Sequence, residues 1–135
     1  MLLQNPIFAH QPFGIDDKNQ DSYIEVSDAK ISHAFYGIFD KKGEQMELNF
    51  KLSAGDTFVF SLLIPDQDPE NILASERLPE LVINNEKFTS NQKSNFYEPY
   101  SRMNLIRIID ENKVIESDTD FNVKVISNGQ SRFVF

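Results

Sequence analysis

The chain has 135 residues and a net charge of −8, from 21 acidic and 13 basic side chains that form no basic cluster. Nucleic acid and anionic membrane surfaces both select a positive footprint, so neither is an expected partner. The chain has no cysteine for disulfides or thiolate metal sites, and no apolar run reaches the ~20 residues of a membrane-spanning helix. With 40% hydrophobic residues, residues 1–135 are predicted to form one domain with a full core.

The chain begins with an extended segment, residues 1–14, that is interrupted by prolines at positions 6 and 12 and by a glycine at position 14. Its apolar residues allow two interpretations: the remnant of a signal peptide, or an edge strand of the mature fold. A polar loop follows, and residues 22–26 then alternate as a short strand does.

The central stretch, residues 32–65, holds three apolar runs separated by the turn signals KKGE and SAGD. Apolar side chains in the middle run recur at every second position: Met46, Leu48, Phe50 and Leu52. This period of two predicts a strand with one buried face, and the three runs together predict a meander of consecutive strands. Gly37, inside the first run, predicts a bulge or a close backbone approach.

The second half begins with a proline-containing loop that has room for about one helical turn between residues 71 and 77. Strands are predicted at residues 80–83 and 103–109, with DENK after them as a turn. Asn128-Gly129 lies between two alternating runs, which is typical of a type I′ hairpin. In total, about eight short strands and little helix predict an all-β fold: a single-domain antiparallel β-sandwich of jelly-roll type.

Two parts of the chain carry a family resemblance. One is the alternating strand that ends in LSAGD with the apolar strand after it, and the other is the closing segment TDFNVKVISNGQSRFVF. Together, residues 32–64 and 119–135 resemble bacterial pre-peptidase C-terminal domains and related secreted jelly-roll modules. The family's closing strand usually opens with a Gly-Thr-Tyr-like triplet, where this chain has TDF at residues 119–121. The resemblance implies a non-catalytic accessory or binding module exported from a bacterial or archaeal cell.

Residues 17–28 have the spacing of a calcium-binding loop. The side chains at loop positions 1, 3, 5 and 12 carry oxygen ligands: Asp17, Asn19, Asp21 and Asp28. However, Ser22 stands where such loops have glycine, and the strand pattern after it favours a solvated turn. Both interpretations stay open, and calcium is the one cofactor that the sequence suggests.

An aromatic segment in the second half is the candidate ligand-binding region, and its side chains are Phe96, Tyr97, Tyr100 and Arg102. Tyrosine offers a flat face and a hydroxyl, so this segment is a candidate platform for a sugar ring or a peptide. The alternative is that the aromatic rings plug one end of the sandwich. No serine lies in a G-x-S-x-G motif and two histidines cannot form a three-histidine zinc site, so no catalytic residue and no enzyme is predicted.

The sequence therefore predicts a secreted or cell-surface binding or structural module that contacts protein or glycan through its end loops. One alternative is a subunit of an extracellular filament or surface layer, a homo-oligomer assembled by exchange of edge strands. The other alternative is a small glycan-active hydrolase or lyase on the same scaffold.

Overall fold

The structure, a computed structural model, describes residues 10–14, 21–26, 32–90, 94–99 and 101–135, and for residues 10–14, 21–23 and 32–33 it describes the backbone alone. This part of the chain contains eleven strands: β1 (His10–Gly14), β2 (Asp21–Val26), β3 (Ser32–Phe39), β4 (Gln45–Leu52), β5 (Thr57–Pro65), β6 (Glu80–Ile83), β7 (Glu86–Phe88), β8 (Ser94–Glu98), β9 (Met103–Val114), β10 (Thr119–Ile126) and β11 (Ser131–Val134). Two 3-10 turns, Glu70–Ile72 and Ser75–Arg77, lie between β5 and β6. The predicted all-β class with little helix is confirmed. The described strands outnumber the predicted eight. β1 lies in the N-terminal segment that had two interpretations, and β7 and β8 lie in polar stretches without alternation.

The strands form two sheets that pack face to face as a sandwich. The order is β1-β3-β11-β5-β9-β8 in the six-stranded sheet and β2-β4-β10-β6-β7 in the five-stranded sheet. Described neighbours are antiparallel except for β1 with β3 and β2 with β4, which are parallel. The antiparallel prediction is thus corrected at these two edges. The connection from β1 to β3 passes through the opposite sheet, and such a crossover brings a strand back in the same direction.

One core rich in phenylalanine fills the space between the sheets. The ring of Phe58 lies 5.1 Å from that of Phe50 and 5.3 Å from that of Phe121, between ring centroids. The alternating residues of β4 are all buried, which confirms the predicted face. Gly37 pairs with Phe133 across the ladder, and a Cβ at Gly37 would lie 2.2 Å from the Phe133 ring. The predicted close approach is therefore made by an aromatic side chain.

The predicted meander and the predicted closing hairpin are both wrong. β3 and β5 belong to the six-stranded sheet and β4 to the five-stranded sheet, so both turns of the central stretch cross between sheets. β10 and β11 also lie in different sheets, and only Gly129 of the Asn128-Gly129 pair has a positive φ. Alternation reports one buried face, and two consecutive strands bury it equally well in one sheet or across the core. The two-residue hairpin with both φ positive is instead at Asn84 and Asn85, between β6 and β7.

Candidate functional site

β8 lies at one edge of the six-stranded sheet, where it pairs with β9 alone among the described strands. Phe96 lies opposite Leu105, and Tyr97 lies opposite Asn104. Because successive side chains of a strand point to opposite faces, Phe96 and Tyr97 cannot form one platform. Of the other predicted platform residues, Arg102 lies in the β8–β9 turn and Tyr100 lies outside the described residues.

Phe96 is half-buried on the outer face of the six-stranded sheet, the face away from the main core. There it packs against a second apolar cluster, which consists of Ala34, Leu63, Leu105 and Val134. The guanidinium carbon of Arg107 lies 4.9 Å from the centroid of the Phe96 ring, within the range of a cation–π contact. Phe96 is thus an anchor of the strand on this outer face and not a plug at one end of the sandwich.

Glu98 anchors the same strand at its last residue. It is only 5% exposed, and its carboxylate accepts hydrogen bonds from the Tyr36 hydroxyl at 2.8 Å and from the Ser101 backbone N–H at 2.7 Å. The second bond fastens the β8–β9 turn to the end of β8. The carboxylate of Glu98 is therefore bonded within the fold. No pattern in the sequence indicates this role.

Tyr97 lies between these two anchored residues and is 53% exposed. Among the side chains that the structure describes, it is the only aromatic one that is mainly exposed. Its neighbours fix the strand backbone, so the ring is presented from a rigid element and not from a loop.

Two arginines flank β8. Arg107 lies opposite Ser94 at the start of the strand, and Arg102 follows the end of the strand in a turn, with a left-handed φ of 58°. Neither makes an ion pair within the described ranges. The Nε of Arg107 is buried and has no hydrogen-bond acceptor. Arg107 carries no signal in the sequence, because it lies in an apolar strand, outside the aromatic segment.

The far edge of the other sheet, β7, differs from β8. β7 has three residues, and its Glu86 and Lys87 form ion pairs with Lys113 at 3.5 Å and with Glu80 at 3.3 Å. Short strands with charged side chains resist pairing with a further strand. β8 has five residues, and its only charged side chain is the buried Glu98.

An ion pair of a different kind joins Glu70 to Arg132 and fastens the β5–β6 loop to β11. The guanidinium group bonds Glu70 through Nε–Oε2 at 2.9 Å and Nη2–Oε1 at 2.7 Å, and the Arg132 backbone N–H donates to Oε2 at 2.7 Å. Burial alone would raise the pKa of Glu70. The hydrogen bonds from Arg132 and its charge outweigh burial, so this pKa lies below its ordinary value. The same bonds raise the pKa of Arg132.

Most of the predicted calcium loop lies outside the described residues, namely Asp17, Asn19 and Asp28. Asp21 is the first residue of β2, where it pairs with Gln45 of β4. Over the described ranges, no three His, Asp or Glu side chains are grouped so that they could hold a metal ion. The calcium site stays a prediction.

No helix in the described part of the chain is long and apolar enough to cross a membrane. Comparison with known proteins gives no match to a family model and none to a curated protein. Among solved structures, the chain is similar to the pre-peptidase C-terminal domain of a collagenase from Bacillus anthracis, with 8% identity and a TM-score of 0.44 over 93% of this chain and 92% of that chain. At this identity and TM-score, the similarity transfers no residue role and no activity to this chain.

Proposed function

We propose that this chain is a non-catalytic module, secreted or on the cell surface, that binds a partner protein or glycan through the β8 edge. The observation that carries this proposal is the half-exposed Tyr97 ring on a strand whose neighbouring residues are both anchored. The proposed contact region is therefore the edge of one sheet and not the end loops of the sandwich.

A fixed tyrosine suits recognition for two physical reasons. Its ring offers a flat apolar face and its hydroxyl a polar contact, so it serves both sugar rings and peptides. Because the strand already holds the backbone, little conformational entropy is lost when a partner binds. Arg102 and Arg107 add donors at the two ends of the same strand.

The shifted pKa values among the described residues belong to a structural ion pair. In enzymes, shifted values often mark the reacting groups. Here the shifts of Glu70 and Arg132 arise from their mutual ion pair, which fastens a loop. The hydrolase alternative has no comparable observation in its favour among the described residues. The β8 edge would also serve the filament alternative, which the self-association of the chain tests.

The proposal is tested by screening the protein on glycan and peptide arrays and then measuring Tyr97→Ala against the ligand found. We expect a loss of affinity of about tenfold or more, as for an aromatic hot spot. The matched control is Val59→Ala, since Val59 is 69% exposed on β5 of the same sheet. It should leave binding unchanged.

Thermal melting separates binding from folding in this test. Both side chains are largely exposed, so each variant should stay within about 0.5 kcal/mol of the parent in stability. Full binding by Tyr97→Ala would contradict the proposal. Unfolding of that variant would instead assign Tyr97 to the core.

A further inference from the structure

We infer that the β8 edge takes an extended acidic peptide, which pairs with β8 as an additional strand. The inference rests on the proposed function and names the class of partner. It draws on three observations: the unprotected edge, the two flanking arginines and the internal use of the Glu98 charge.

The first observation is that β8 is an edge strand that could pair with one more strand. No described strand lies beside it on the side away from β9, so alternate backbone N–H and C=O groups face outward as a template for a new strand. The exposed side chains of β8 are Ser94, Asn95 and Tyr97, none of them charged. At β7, by contrast, the charged side chains already occupy the edge.

The second observation is the arrangement of positive charge along this edge. Arg107 lies opposite the first residue of β8. Arg102 lies in the turn after β8, four positions beyond Glu98, so there is one arginine toward each end of the strand. A strand covers about 13 Å in four steps, which matches two acidic residues four positions apart in the peptide.

The third observation is that the local carboxylate does not oppose an acidic ligand. Glu98 accepts bonds from Tyr36 and from Ser101 within the fold. The net charge of −8 acts against an acidic partner at long range. At physiological salt, charges farther than about 8 Å are largely screened, so the two nearby arginines dominate at the edge.

Tyr97 completes the contact from the other face of the strand. In an antiparallel or parallel addition, its ring lies beside one side chain of the incoming peptide and covers it, as aromatic cross-strand pairs do. An apolar or β-branched residue at that position is therefore expected between the two acidic ones.

The test uses the full chain and the peptide acetyl-Thr-Glu-Val-Thr-Val-Glu-Val-Thr-amide, labelled for fluorescence anisotropy. Three matched probes accompany it: the same peptide with Gln for Glu, the same peptide with alternate backbone nitrogens methylated, and polygalacturonate as an acidic glycan. We expect the acidic peptide to bind about tenfold tighter than the Gln peptide. Methylation should abolish binding, because it removes the donors of the strand ladder.

Protein variants locate the charge effect. Arg102→Glu should weaken the acidic peptide about tenfold, and Arg77→Glu should not, although both change the net charge equally. Arg77 is exposed in the second 3-10 turn, away from β8. Should Arg102→Glu fail to fold, Arg107→Gln carries the same expectation. Amide signals of residues 94–98 in ¹H–¹⁵N NMR spectra should shift on binding.

Each other outcome overturns the inference. Equal binding of the acidic and Gln peptides removes the role of the arginines, and binding that survives methylation removes strand addition. Self-association of the chain that blocks the peptide would assign the edge to a second copy. If polygalacturonate alone binds and Tyr97→Ala abolishes it, the peptide inference fails but the proposed function holds. If no probe binds and no array ligand depends on Tyr97, both fail.

Discussion

Arg132 and Arg107 lie on the same outer face of the six-stranded sheet, in β11 and β9, and their surroundings differ. The Nε and Nη2 groups of Arg132 both donate to the carboxylate of Glu70, whose side chain is 2% exposed. Arg107 instead covers the Phe96 ring, and its buried Nε has no acceptor. The guanidinium of Arg132 is thus committed to the fold by an ion pair, and that of Arg107 has no ion-pair partner among the described residues.

The difference distinguishes a charged side chain that the fold requires from one that could contact a partner. A buried carboxylate requires its partner, because burial without one costs several kcal/mol. A cation–π contact stabilises less, by about 0.5–1 kcal/mol at an exposed site. Three measurements test whether this contrast holds.

The largest effect is expected from Arg132→Ala, which leaves the Glu70 carboxylate buried without its partner. Breaking a buried pair costs about 3–5 kcal/mol. Arg132 is 39% exposed, so water partly replaces it and we expect a loss of about 2–3 kcal/mol. Urea denaturation measures this loss.

The matched control for this variant is the double change Glu70→Leu with Arg132→Leu, which removes the buried charge as well. It should recover most of the stability. A loss below about 0.5 kcal/mol in Arg132→Ala, the range of ordinary surface substitutions, would contradict a structural role for the pair.

The second measurement is the pH dependence of the same pair, which should have a smaller effect. The pKa of Glu70 is lower in the folded chain than its ordinary value of 4.5, so the folded state favours the ionised carboxylate. Its contribution to stability is present above about pH 4.5 and is lost as the pH falls through the folded pKa. Glu70→Gln should therefore be less stable than the parent at pH 7, and the two should converge in acid. A constant difference from pH 7 to pH 2 would contradict this assignment.

The smallest effect is expected from Arg107→Met. The substitution removes a cation–π contact, but it also removes a buried donor that lacks an acceptor. Thermal or urea unfolding should show a change within about 1 kcal/mol of zero. A loss as large as that of Arg132→Ala would make Arg107 structural and would end the contrast between the two arginines.

The sequence predicts the faces of the strands well and their partners poorly. The alternation in β4 and β10 correctly identifies the buried side, and Gly37 correctly predicts a close approach, made by Phe133. Which sheet a strand joins depends on contacts far along the chain, and periodicity does not report them. The predicted DENK turn fails for a related reason. β9 continues through Asp110 because β5 pairs along it and Ser61 bonds the Asp110 carboxylate.

The candidate site is only partly predictable from the sequence, because it also depends on contacts far along the chain. A dense aromatic segment is visible in the sequence, but strand alternation separates Phe96 from Tyr97. Glu70 and Arg132 are 62 positions apart, so no local pattern links them. Arg107 joins the site only because β9 lies beside β8.

The position of β11 in the middle of the six-stranded sheet has a consequence for biogenesis. β11 lies between β3 and β5, although it is the last described strand to be synthesised. Until it arrives, the sheet is split between two unconnected parts, and the facing edges of β3 and β5 have no strand between them. Chains with such distant pairings fold slowly and expose unpaired edges on the way. A nascent chain of this protein therefore stays open to chaperones until its closing strand has been made.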